Sequence, residues 1–514
     1  MTKVLLLFNG NILTLSTKFP KCEAVVLQDG KIVACGTSAE LKAQYKTAIE
    51  MIDLEGKTVL PGFIDTHAHL TDTGVDTLGV DLCESHSIAE IQNNLAQFAK
   101  HIPSGEWFFG HGFDDSILVE KRYPTRYDLD KAVPNHPICI SRRDGHSCVA
   151  NSLALNLLNL PPDTDGIEKD TQTGEPTGTM RRTAVGLTYE KMSGQLSDEL
   201  RLKGLHTAVQ SAISKGITTI HALEGGSDTA DKNLAVLLNH QDKLPVRIIV
   251  YHQTCNVERV KKAGLPRIGG CVLVDGSIGS RTAAVTQPFN DDPGNNGVLY
   301  FTDKRLYEFI ETAHCAGLQI SMHAIGDRAI DQLLKTYRQV LTKYPRKDHR
   351  HRIEHYELPR PEQIPQTAEL GLLLAMQPTF DYLWGGETQL YATRLGISRS
   401  LFSNPLRTIL DAGIKIAGGS DSYVTPMDPM LGIHSAVNHY SPIQRVSVDE
   451  AIRMYTTTAA YAAFEESQKG TIEPGKLADL VVLEKNPYAV PKSELKDIPI
   501  SMTICRGKVV YSAS

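Results

Sequence analysis

Hydrophobic and polar positions change their rhythm twice along this chain. Over the first ~58 residues the apolar runs are short, β-branched and broken by tight turns, and AVVLQDGKIVACG reads as a hairpin turning at Asp29-Gly30. The same texture returns near the end. There Ala478 to Glu484 (ADLVVLE) and Thr503 to Ser512 (TICRGKVVYS), with a turn at Arg506-Gly507, again read as strands. Both ends together predict one small composite β-sandwich domain from residues 1–58 and 466–514.

Between them, residues 59–465 alternate short β-branched runs with longer amphipathic stretches, the pattern of βα units on a parallel sheet. The expected strands are GFIDTHAH, GITTIHA, VRIIVYH, CVLVDGS, QISMHAIG, HRIEHYE, LLLAMQP and KIAGGSDS. Helices are expected before the later ones, as at Lys304 to Cys315 and Glu362 to Leu370. This predicts an α/β fold, a (β/α)8 TIM-like barrel, whose chemistry gathers at the C-terminal ends of the strands. A doubly wound open sheet competes with it, but no Gly-rich dinucleotide fingerprint follows the first strand. Residues about 72–200 are too many for one helix and predict an inserted subdomain after strand one, placed to line the mouth of the barrel.

The 514 residues with 41% apolar content supply ample core, and the net charge of −6 comes without a Lys/Arg stripe. Nucleic acid and anionic membranes are therefore not expected partners, and a small-molecule substrate is. Val4 to Phe8, the longest apolar stretch near the start, is too short for a membrane span or a secretory signal, so a cytoplasmic location is expected. Nine scattered cysteines without a Cys-x-x-Cys motif fit reduced thiols.

The chemistry is carried by His67 and His69. At positions i and i+2 of a strand, both imidazoles point the same way and reach one metal ion. His323, His355 and Asp421 stand at the ends of later strands, which completes the donor inventory of a metal-assisted hydrolase. Glu354, beside His355 but on the alternate face, reads as a supporting salt-bridge residue.

In order along the chain, LPGFIDTHAHL, RDGHSCVANSLAL, DGSIGSRTAA, HAIGDRAID, HRIEHYELPRPEQ, GGSDSYV and GTIEPGKLADLVVLEKNP resemble the amidohydrolase superfamily. Within it, the chain resembles the YtcJ-like group, also called amidohydrolase family 3. The resemblance spans nearly the whole chain. It implies a metal-dependent hydrolase of amide or related C–N bonds, with one or two zinc ions, and family habit implies a homodimer. His67, His69 and Asp421 would hold a first metal, and His323 and His355 a second one, or the first metal and the substrate. Asp421 would act as general base and then general acid, with His323 and His355 beside it in catalysis.

One position departs from the pattern. Where the family often places a lysine four residues before the Asp-Gly of strand four, this chain has Cys271. A thiolate bridges metals but cannot be carboxylated as a lysine can, so Cys271 reads either as a metal ligand or as packing in strand four. His146 and Arg281 read as hydrogen-bond donors to substrate or as loop ties. Asp114 and Asp115 read as contacts to a polar substrate group. Trp384 and Tyr382 read as an apolar wall or ordinary loop packing, and Asp275 with Gly276 as the turn after strand four. Three functions stay open: amide hydrolysis, deamination of a heterocyclic amidine, and a non-catalytic scaffold with a degenerate site.

Overall fold

The computed structural model describes residues 4–46, 49–194, 196–226 and 231–513. Among them, eight parallel strands form one sheet. In chain order they are β1 (Phe63–Ala68), β2 (Ile217–Glu224), β3 (Arg247–His252), β4 (Arg267–Ile268), β5 (Gln319–Ala324), β6 (Arg352–His355), β7 (Leu373–Met376) and β8 (Ile416–Gly418). Neighbours in sequence are neighbours in the sheet. The barrel closes where β8 returns to β1: Asp421 N–H donates to His67 O at 2.7 Å, and Thr66 Oγ1 donates to Gly418 O at 2.9 Å. The barrel strands are almost wholly buried, because helices such as Asp303–Cys315 and Asp327–Lys343 cover the outside. That double cover is why the strands read as continuous apolar runs.

Strand four differs from expectation. CVLVDGS does not form it; the ladder consists of Arg267–Ile268, and the chain then turns through Gly269 and Gly270, whose φ values of 94° and 58° are left-handed. Gly269 also lies so close to β5 that a side chain there would strike the Ser321 carbonyl. Beyond this break Leu273 makes a single bridge to His323, and Val274 N–H donates to His323 O at 3.0 Å. Cys271 thus sits on an irregular segment at the mouth, past the end of β4.

Strands from both chain ends meet in one sheet. Leu480–Leu483 lies antiparallel to Thr58–Pro61, inside a six-stranded sheet that also takes in Asn11–Leu13, Lys21–Cys22, Ile500–Cys505 and Lys508–Ser512. A four-stranded sheet of Val4–Phe8, Ala24–Gln28, Lys31–Gly36 and Ile49–Asp53 accompanies it, and its hairpin turns at Asp29 and Gly30, both left-handed (φ 51° and 75°) as an Asp-Gly turn requires. A core that includes Leu5, Val25, Ile32, Val59, Leu480 and Ile504 fills this domain.

The insertion after β1 has its own six-stranded sheet, running from Ile167–Lys169 to Val80–Asp81, and its own core around Leu82, Ile91, Leu95, Phe113 and Ile138. The chain regains the barrel through the helix Asp198–Ser214. This helix packs on the helix Leu70–Asp76, which starts directly after His69, and the two backbones meet at Gly74 and Gly204. A methyl group on Gly204 would come within 2.4 Å of Gly74 O. Gly204→Ala is expected to cost about 1–3 kcal/mol through overpacking, read as a lowered calorimetric melting temperature, whereas Gly186→Ala, inside the helix Arg182–Ser193 with nothing within 4 Å of the added methyl, is expected to raise it slightly, because Ala has the higher helix propensity.

Candidate metal centre

His67, His69, His323, His355 and Asp421 converge at the C-terminal mouth of the barrel. Two sets of three donors lie there, each with its ligand atoms within 4.8 Å of one another: His67 with His69 and Asp421, and His67 with Cys271 and His355. His67 belongs to both. Asp421 Oδ1 is 3.1 Å from His67 Nε2 and 3.2 Å from His69 Nε2, and Cys271 Sγ is 3.5 Å from His323 Nδ1 and 3.7 Å from His355 Nε2. His323 therefore joins the cluster through Cys271 rather than through a three-donor set, with its Nε2 3.2 Å from Gly276 O.

Each imidazole is held by its other nitrogen. His67 Nδ1 meets Glu354 Oε2 at 2.7 Å, His69 Nδ1 meets Leu223 O at 3.1 Å, and His355 Nδ1 meets Gln377 Oε1 at 2.7 Å. Such contacts fix the tautomer and aim the free nitrogen at a common point. Glu354 does the supporting work expected of it. Its carboxylate is fully buried and accepts from Arg352 Nε (2.8 Å), Arg352 Nη2 (2.7 Å) and Ser321 Oγ. Arg352 in turn donates to Thr66 O at 2.8 Å.

The residues present fit a metal. His67 Nε2 is buried and not aligned for a hydrogen bond, even to Asp421, so its lone pair or proton is left without a protein partner. Imidazole nitrogen, carboxylate oxygen and thiolate sulfur are a donor set suited to zinc and its neighbours. The electrostatics agree. Burial would raise the Cys271 thiol, but His323, His355 and His67 hold it well below the usual thiol range; burial would likewise raise Asp421, but His67 and His69 hold it well below the carboxylate range. Both are thereby poised as anionic donors.

Around the cluster a cavity of about 30 Å³ is walled by His146, Phe380, Trp384 and Tyr391, with Glu357 at its edge. This is room for about two waters. His146, with its ring centroid 5.5 Å from that of His323, and Trp384 face this space. The other expected substrate contacts lie elsewhere. Arg281 is turned to Asp291, with contacts of 3.0 and 2.8 Å; Asp114 is sealed against Arg142 (3.2 Å) and Trp384 Nε1 (3.4 Å); Asp115 binds Arg142 and Arg394; Tyr382 packs on His434. These tie loops together. Asp275 forms the turn as expected, accepting from the backbone N–H of Ala284, Ile325 and Gly326, while burial pushes its carboxyl up to about 7.

Sequence reasoning passed over Gln377, Tyr423 and Glu357. Gln377 carried a signal, a polar residue ending the apolar strand LLLAMQP. Tyr423, whose ring centroid is 5.9 Å from that of His69, carried none.

The model of the amidohydrolase family matches residues 50–511. The chain belongs to the amidohydrolase family. Among amidohydrolase relatives, YtcJ of Bacillus subtilis is 31% identical over 98% of this chain and 99% of its own length, and the N-substituted formamide deformylase of Arthrobacter pascens is 27% identical over 99% and 98%. A crystal structure of an uncharacterized metal-dependent hydrolase from Pyrococcus furiosus superposes with a TM-score of 0.74 at 29% identity, covering 94% of this chain and 99% of that one. This amidohydrolase also has no helix, among its described residues, long and apolar enough to cross a membrane.

The Glu354 carboxyl makes stability depend on pH. Burial would raise it, but Arg352 and His67 lower it from 4.5 to about 2. A depressed folded-state value means that its contribution is fully present above about 4.5 and is lost as pH falls toward about 2. Glu354→Gln leaves Arg352 buried without its carboxylate and is expected to cost about 3 kcal/mol at pH 7, a difference from wild type that shrinks on acidification below pH 4.5 in denaturant titrations.

Proposed function

We propose that this amidohydrolase cleaves an amide-type C–N bond, in an N-formyl amine, N-acyl amine or cyclic amide, by attack of water at the His67 cluster. The observation that carries this reading is the pair of three-donor sets sharing His67 at the mouth of the barrel. The formamide deformylase relative supports the choice of bond. His67, His69 and Asp421 would hold one zinc ion, and Cys271 with His323 and His355 a second, because the one free nitrogen of His67 can serve a single ion. When bound, zinc supplies Lewis acidity and lowers the pKa of water from about 15.7 to about 7.

The chain's own groups supply the rest. Asp421, ionised and 3.1–3.2 Å from two imidazoles, takes the proton of the attacking water at Oδ1 or Oδ2 and delivers it to the leaving nitrogen. Glu354 and Gln377 keep His67 and His355 from turning, and His323 holds Cys271. His146, on the wall of the cavity, donates to the carbonyl oxygen. Phe380 and Trp384 exclude bulk water from the same space. Because that space admits only about two waters, binding a substrate there requires the surrounding loops to part.

Two measurements test this. A panel of N-formyl and N-acyl amines, followed by release of formate or another carboxylate, is expected to yield a substrate, and His67→Ala or Asp421→Asn is expected to lower turnover by about 10²–10⁴ with the melting temperature and circular dichroism of a folded protein. Turnover retained by either variant overturns the mechanism. Elemental analysis is expected to find two zinc ions per chain in the wild type and one in Cys271→Ala; one ion in both makes the centre mononuclear and Cys271 structural.

A further inference from the structure

The space at the metal ligands is small, yet a far larger cavity of about 490 Å³ lies next to it. Tyr423 links the two regions: its side chain lines the large cavity, its ring tilts against that of His69, and it stands two residues after Asp421. The far walls come from the insertion, chiefly Trp107, Phe108 and Phe109 with Tyr189 and Met192. They give an aromatic and apolar lining suited to a hydrocarbon body.

The polar lining is one-sided. Asp72 and Asp76 both face the cavity, Glu106 stands at its rim, and among its described lining residues there is no Lys, Arg or His. Asp72 and Asp76 lie four residues apart on the helix Leu70–Asp76, hence on one face, where two carboxylates repel. Asp72 accepts a hydrogen bond from Asn233 Nδ2 at 2.7 Å. Asp76 Oδ2 is sealed from solvent without a hydrogen-bond donor, and the basic group beside it, His111 Nδ1, is 3.8 Å away. Burial lowers His111, which leaves it a poor counter-ion, and burial together with the Asp72 charge pushes Asp76 well above the usual carboxylate range. A repelling acid pair in a low-dielectric cavity is relieved by a cation that enters with the ligand.

We infer that this cavity receives the amine half of the substrate, an aromatic or aliphatic body bearing a second, protonated nitrogen that is held between Asp72 and Asp76. The inference rests on the amide-hydrolase reading, and the position of the acids gives it a length scale. Helix rise puts Asp72 about 4.5 Å and Asp76 about 10 Å along the axis from His69, so the scissile amide at the metal ligands and the ammonium at the acids belong to opposite ends of one monoacylated diamine. The aromatic walls lie against its middle. Asp72 already has Asn233 and the charge of Arg201 beside it, so a neutral amide lacking the second nitrogen would leave Asp76 as the acid without a hydrogen-bond partner.

The test is calorimetric binding of 2-phenylethylammonium to the zinc-loaded protein, with 2-phenylethanol as the neutral isostere. Saturable binding of the amine, weakened about 30-fold or more in Asp76→Asn and in Asp72→Asn and abolished in the cavity-filling Met192→Trp, is the expected result. Each variant is checked for wild-type zinc content and melting temperature. Equal affinity for the alcohol, or amine affinity unchanged in both Asp variants, overturns the inference. The two readings fail separately: amide turnover without amine binding removes the cavity assignment and leaves the hydrolase standing, whereas amine binding by a protein that hydrolyses no amide removes the hydrolase reading on which the substrate assignment rests.

Discussion

A guanidinium and a carboxylate sealed inside the barrel hold the mouth of this molecule together. Arg352 and Glu354 are both fully buried, and their pairing reaches Thr66 and His67 on β1, Ser321 on β5 and His221 on β2. Removing two such ions from water costs several kcal/mol each, repaid only when every donor and acceptor is met. Here nearly all are. What the pair contributes is less stability than position: it sets the imidazole of His67, the one residue common to both donor sets, against a partner that cannot move.

From that point the fold and the site are one construction. β1 carries His67, leads directly into His69 and receives Asp421 through a backbone hydrogen bond that also closes the barrel. Both His355 and Asp421 leave their strands with left-handed backbones, φ 71° and 57°. For a non-glycine residue this is an uncommon conformation, concentrated at functional sites. Both residues reach the cluster from this backbone, His355 through its contact with Cys271 and Asp421 through His67 and His69.

Much of this was legible from residue order. Short apolar, β-branched runs located seven of the eight barrel strands to within a few residues, and the Asp29-Gly30 and Arg506-Gly507 turns located the hairpins near the two chain ends. Strand four was misplaced because CVLVDGS has the apolar alternation of a strand, while the two glycines before it, which end the ladder, read only as a loop. The clustered histidines were legible because a metal site would need particular residue types at strand ends. Contacts such as Arg281 to Asp291 or Asp114 to Arg142 were not, since an exposed-looking charge in a loop bears no mark of the partner, distant in sequence, that claims it. Tyr423 and the walls of the large cavity depend on how the insertion folds back over β1, a matter of tertiary packing to which local pattern is blind.

The pairing of Leu480–Leu483 with Thr58–Pro61 bears on the order in which this chain can fold. The strand that precedes the His67 segment finds its antiparallel neighbour roughly four hundred residues later, so the sheet that anchors β1 stays open until most of the polypeptide has left the ribosome. The insertion has its own core and can condense early. The strand that carries His67 waits for the last segment to dock, which makes assembly of the barrel mouth a late event in the life of each new molecule.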